Sequence, residues 1–108
     1  MSYTVFATIP VRPEHMDAAC NAVAAIVPAT RGEEGCIAFE PRRAADGSST
    51  IMIFEEWADR DAFDFHHAQD YTKDVFAKYE NWLQSAPQLV EVKTLDGLQN
   101  LFLREMPI

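Results

Sequence analysis

Residues 50–57, Thr-Ile-Met-Ile-Phe-Glu-Glu-Trp, read as a strand that is apolar on both of its faces. Successive side chains of a strand point to opposite sides, so Ile51 and Ile53 go one way and Met52 and Phe54 the other. A strand of this kind needs a cover on each side. A chain of 108 residues buries roughly 65% of its unfolded surface and has little material for two covers. Any fold proposed for it must say what lies over the second face.

The elements around this strand set the order. Residues 3–11 hold Tyr3, Thr4, Val5, Phe6, Thr8, Ile9 and Val11, a first strand with apolar residues at both parities. Pro10 and Pro13 close it, and Pro13 suits the first turn of a helix. Met16, Ala19, Cys20, Val23, Ile26 and Val27 recur at helical spacing, and Pro28, Gly32 and Gly35 are expected to end that helix. Residues 36–40 read as strand two, and Asp46-Gly47 is a hairpin signal leading into strand three. Asp59 and Asp61 flank a helix start that puts Ala62, Phe63 and His66 on one face. Val75, Phe76, Tyr79, Trp82 and Leu83 form the stripe of a longer helix, ended by Pro87. Residues 89–95 alternate as an edge strand should, with Glu91 and Lys93 on the polar side.

The order β-α-β-β-α-β predicts an α+β chain with a ferredoxin-like antiparallel sheet, in one domain spanning 1–108 with its core in 3–95. Both helices must then lie on one face of the sheet. The other face would show Met52, Phe54 and one parity of strand one as a patch larger than monomers usually expose. The expected solution is a homodimer with two sheets packed face to face. The tail 96–108, with Leu98, Leu101, Phe102, Leu103, Met106 and Ile108, is expected to lie on the partner.

Candidate chemistry gathers at the end of strand three. His66 and His67 are adjacent, about 100° apart on a helix, so both are not expected to serve one site. His66 falls on the inward side with Phe63, either as a base titrating near neutral pH or as a satisfied structural histidine. His67 is expected at the rim or in solvent. Glu55 and Trp57 share the face of Ile51 and Ile53. Glu55 would orient His66, bind a substrate hydroxyl, or sit at the rim on backbone amides. Trp57 offers a flat wall to an aromatic ligand, or fills core. Tyr71 either caps the pocket or fills space, and Phe76 closes the boundary around it.

The net charge of −8, with no basic stripe, argues against nucleic acid and anionic membrane as partners. No run approaches the ~20 apolar residues of a membrane span. His15 stands apart from His66 and His67, and no metal-binding spacing is present, so no metal is expected. Cys20 and Cys36 read as buried, reduced thiols of a cytoplasmic protein. No P-loop, dinucleotide fingerprint or nucleophile triad occurs, so no organic cofactor is expected either.

Three segments carry a resemblance: Ala29-Thr30-Arg31-Gly32-Glu33-Glu34-Gly35-Cys36, then Phe54-Glu55-Glu56-Trp57, then Ala62-Phe63-Asp64-Phe65-His66. Together they resemble the antibiotic biosynthesis monooxygenase family of dimeric α+β barrels, over about residues 3–95. The resemblance implies a cofactor-independent monooxygenase of a small aromatic or quinol-like compound. The protein would supply a base, desolvation and orientation, and the substrate anion would react with O₂ directly. By position it implies His66 as base, Trp57 as pocket wall and Glu55 as the strand carboxylate. Glu34 departs from a proline usual in the family. Tyr71 stands where many members have a second histidine. Thr8 and Phe76 stand where haem-degrading relatives have an asparagine and a histidine, which disfavours haem degradation. Two other readings stay open: a non-oxidative isomerase using the same proton-transfer groups, and a non-catalytic dimeric ligand-binding or stress protein.

Overall fold

A computed structural model of the chain describes residues 2–95; the tail 96–108, and the partner contact expected of it, lie outside the described residues. The elements run β1 (Tyr3–Pro10), a 3₁₀ turn (Pro13–His15), α1 (Met16–Arg31), β2 (Cys36–Arg43), β3 (Thr50–Trp57), α2 (Arg60–His67), α3 (Asp70–Trp82) and β4 (Gln88–Val92). The four strands form one antiparallel sheet in the order β2-β3-β1-β4, with the two doubly apolar strands at its centre. This is the ferredoxin-like α+β architecture.

The parity of the central strands decides the layers. Val5, Ala7 and Ile9 of β1, with Ile51, Ile53 and Trp57 of β3, point at the helices. There they meet Met16, Ala19 and Val23 of α1, Phe63 of α2, and Val75 and Tyr79 of α3. The other parity has no cover among the described residues. Phe6 is paired with Phe54 and with Val90, and its ring sits 5.3 Å from that of Phe54. Phe6, Met52 and Val90 are 49%, 45% and 57% exposed, so this face is a bare apolar patch.

Several boundaries differ from the sequence expectation. Pro28 lies inside α1, which continues to Arg31. A proline removes one helical hydrogen bond. The last turn holds because Thr30 is fully buried and Arg31 donates through Nε and Nη2 to the Phe39 carbonyl at 3.1 and 3.0 Å. β2 runs through Pro41 to Arg43, longer than expected, and the hairpin closes on Gly47, whose positive φ of 86° suits glycine. α3 stops at Trp82, well before Pro87, because Leu83 turns extended and bridges Val11. β4 ends at Val92, and its residues are exposed or half-buried without the expected alternation.

Gly35 sets the distance between the β2 turn and α2. A Cβ at Gly35 would run into the Cβ of Ala62, and the Gly35 carbonyl accepts from Ala58 N–H at 2.8 Å. That close approach brings the segment before β2 against the helix that carries His66.

Candidate functional site

α2 is short, and its start is fixed by Asp59, whose Oδ1 accepts from the Ala62 N–H at 2.8 Å. From that cap, helical spacing puts Phe63 and His66 on the buried side. The chain then turns directly into α3, whose first turn supplies Tyr71 and Thr72. Across from them, the turn after α1 is pinned by Glu33 N–H to the Thr30 carbonyl at 3.1 Å and Cys36 N–H to the Glu33 carbonyl at 3.0 Å. It directs the Glu33 side chain inward.

Glu33 and His66 form a buried pair: His66 Nδ1 lies 2.9 Å from Glu33 Oε2, with the two side chains only 4% and 5% exposed. The Tyr71 hydroxyl donates to the same carboxylate oxygen. Thr72 Oγ1 lies 3.5 Å from His66 Nδ1. A carboxylate that accepts from Tyr71 holds the His66 proton on Nδ1, which leaves Nε2 as a lone-pair base. Nε2 has no hydrogen-bond partner among the described residues. The imidazole stacks on the fully buried Trp57 ring at 4.8 Å between centroids, so its orientation is fixed on both sides.

On the other side of His66 lies a small cavity of about 40 Å³ between sheet and helices. Glu55, His66, His67 and Tyr79 line it, and Phe76 and Leu89 stand at its exposed end. That volume holds a water or two. It falls far below the ~300 Å³ at which ligand pockets begin.

Glu55 is 5% exposed and accepts one hydrogen bond, from Trp57 Nε1 at 3.1 Å. Burial pushes its carboxyl up to about 7, helped by the charge of Glu33 and opposed by the Trp57 hydrogen bond. Burial lowers the proton affinity of His66, and the hydrogen bond and charge of Glu33 work against that. Burial and the Glu33 hydrogen bond push the Tyr71 phenol up to about 12, so it stays a donor. A carboxyl raised to about 7 and an imidazole of lowered proton affinity therefore line one small cavity.

The expected site residues separate into two sets. Glu55, His66 and Phe76 border the cavity; Trp57 and Tyr71 do not, and instead hold Glu55 and Glu33 in place. Glu55 does not orient His66, because its oxygen is taken by Trp57 while Glu33 reaches Nδ1 first. Of the two places expected for His67, the rim or solvent, the structure rules out solvent. His67 is half-buried, donates from Nδ1 to the Phe63 carbonyl at 2.8 Å, and lines the same cavity as His66. Both adjacent helical positions therefore border one cavity. Glu33 was missed as a site residue; its only sequence signal is its place in the Ala29–Cys36 segment. Among the described residues, no three His, Cys, Asp or Glu side chains converge as metal ligands would.

A sequence model of the antibiotic biosynthesis monooxygenase family matches residues 2–78. Among solved structures, Rv0793 from Mycobacterium tuberculosis superposes with a TM-score of 0.82 at 25% identity, covering 89% of this chain and 97% of that one. PA3566 from Pseudomonas aeruginosa superposes with a TM-score of 0.81 at 24% identity, covering 87% and 94%. A structure described as an antibiotic biosynthesis monooxygenase gives 0.81 at 23% identity, covering 88% and 99%. No curated protein matches the chain.

Proposed function

The chain belongs to the antibiotic biosynthesis monooxygenase family, and on that premise we propose that it is a cofactor-independent monooxygenase of a small aromatic or quinol-like substrate. The observation that carries the reading is the buried Glu33–His66 pair, with Nε2 unpaired among the described residues and His66 lining the cavity. The substrate hydroxyl gives its proton to Nε2, and the resulting imidazolium is stabilised by Glu33. The electron-rich anion then reacts with O₂ in a space that excludes water. One oxygen atom enters the ring, the other leaves in water, and the quinol supplies the electrons. Glu55, protonated at or below about pH 7, donates to the developing peroxide oxygen.

A ring does not fit in about 40 Å³, so Phe76 and Leu89 swing outward to admit it. Both are half-exposed. We assign the bare sheet face around Phe6, Phe54, Met52 and Val90 to a homodimer, and the free thiols Cys20 and Cys36 to a cytoplasmic setting. No helix among the described residues is long and apolar enough to cross a membrane.

The pairing of Glu55 with His66 across one cavity also supports a second reading, a non-oxidative isomerase that moves a proton between them. Turnover under ¹⁸O₂ separates the two. The monooxygenase incorporates one labelled atom per product and stops without oxygen; an isomerase turns over anaerobically with no label. Binding of a hydroquinone with no turnover, with or without oxygen, supports a ligand-binding protein instead.

A further inference from the structure

A second cavity exceeds the one beside His66 in volume. A trough of about 290 Å³ lies between α1 and the outer end of β2, where the helix layer stops short of the sheet edge. Cys20, Val23, Ala24 and Val27 form its helical wall, and Pro41 and Ile51 its floor. Val23 lines both this trough and the His66 cavity. Three of the chain's nine cationic residues, Arg31, Arg42 and Arg43, surround its mouth.

These guanidinium groups differ in how firmly they are held. Arg31 is tied to the Phe39 carbonyl and to Glu40 at 3.2 Å. Arg42 is tied to the Pro41 carbonyl at 2.8 Å and to Glu40 at 3.3 Å. Arg43 has only a 4.0 Å approach to Asp17, which is 97% exposed. An exposed pair at that distance contributes little. Arg43 shares the inward parity of Phe39 and Pro41, so it stands over the trough with its fork largely unspent. Against a net charge of −8, a local excess of cations at the end of an apolar slot selects a ligand of matching polarity.

We propose that this trough is a second binding site, for an amphipathic carboxylate whose hydrocarbon chain lies between α1 and β2 and whose head pairs with Arg43. The volume sits at the low end for small-molecule sites, which suits a medium-chain acid and not a bulky ring system. The site does not depend on the monooxygenase reading, because none of its charged groups touches His66, Glu33 or Glu55.

The test is titration of the ¹⁵N-labelled full chain with decanoate, decanol and acetate, followed by amide shifts and calorimetry. Decanoate is expected to shift the amides of Cys20, Val23, Ala24 and Val27 and to bind at least 10-fold more tightly than decanol or acetate. Arg43→Glu should weaken decanoate 10-fold or more while leaving decanol unchanged. Ala24→Phe, at an exposed helix position, should fill the slot and abolish both. Equal binding of decanol and decanoate, shifts confined to His67, Phe76 and Leu89, or no binding would each overturn the proposal.

Discussion

Glu33 and His66, 33 residues apart in the chain, meet through a 2.9 Å contact that solvent barely reaches. The pair joins the turn before β2 to the last turn of α2. It also decides which imidazole nitrogen is free. A buried imidazole without such a partner loses its proton too readily to serve as a base.

Glu33→Gln removes the charge and keeps the shape. The midpoint of His66 titration should move down, since the Glu33 hydrogen bond and charge are what oppose burial. Turnover should fall about 10²-fold, the low end of a general base's contribution. Long-range ¹H–¹⁵N correlation of the imidazole reads both the midpoint and the tautomer. An unchanged Nδ1–H tautomer and midpoint in Glu33→Gln would remove Glu33 from the site.

Glu55 gives a pH signature of stability. Its carboxyl rises from an ordinary 4.5 to about 7 on folding. Below about pH 4.5 it is protonated folded and unfolded alike, and its full contribution is present. Between 4.5 and 7 the unfolded chain gives up the proton that the folded chain keeps, so stability falls, by on the order of 3 kcal/mol. Above 7 the loss is complete and levels off. His66, with lowered proton affinity, has the opposite sign and costs stability as pH drops. Glu55→Gln should therefore flatten the descent from pH 5 to 7.5 in urea melts while keeping the acid-side loss. A wild-type descent that survives in Glu55→Gln contradicts the assignment.

Gly35→Ala tests the close approach to α2. The added methyl meets the Ala62 Cβ, and overpacking of this kind costs about 1–3 kcal/mol. Adding Ala62→Gly should recover part of the loss despite the helix cost of glycine, so the cycle shows positive coupling. Additive losses would mean the two positions do not touch.

Phe6→Asp places a carboxylate on the bare sheet face beside Phe54 and Val90. Burying a phenylalanine stabilises by about 1.5–3 kcal/mol per copy, so a dimer using this face should dissociate. Light scattering should give a dimer for the wild type and a monomer for Phe6→Asp, with far-UV spectra matching. A monomeric wild type at micromolar concentration refutes the dimer outright.

How much of this was legible in the sequence follows from the range of each interaction. β1 and β3 declared themselves because their apolar residues fill both parities, a local pattern that also forces them to the sheet centre. Asp59 declared α2 for the same reason, since a cap acts on residues three positions away. Pro28 misled because its local cost is outweighed by Thr30 and Arg31, whose partners lie on other elements. Glu33 stayed hidden because a carboxylate in a loop looks like surface until the fold brings His66 and Tyr71 to it. His67 misled because the angle between neighbouring helix positions says nothing of how wide the facing cavity is. The family resemblance reached His66 and Trp57 but not the Glu33 carboxylate that His66 meets.

Oxygen uptake with a panel of hydroquinones, wild type against His66→Ala, tests the role of His66 most directly. His66→Ala empties a buried position, so near-UV circular dichroism must first show a retained fold. The wild type should consume oxygen well above autoxidation with at least one hydroquinone, and His66→Ala should lose 10²-fold or more of that rate. Uptake by His66→Ala equal to that of the wild type, or no uptake above autoxidation by either, would contradict His66 as the base of an oxygenase.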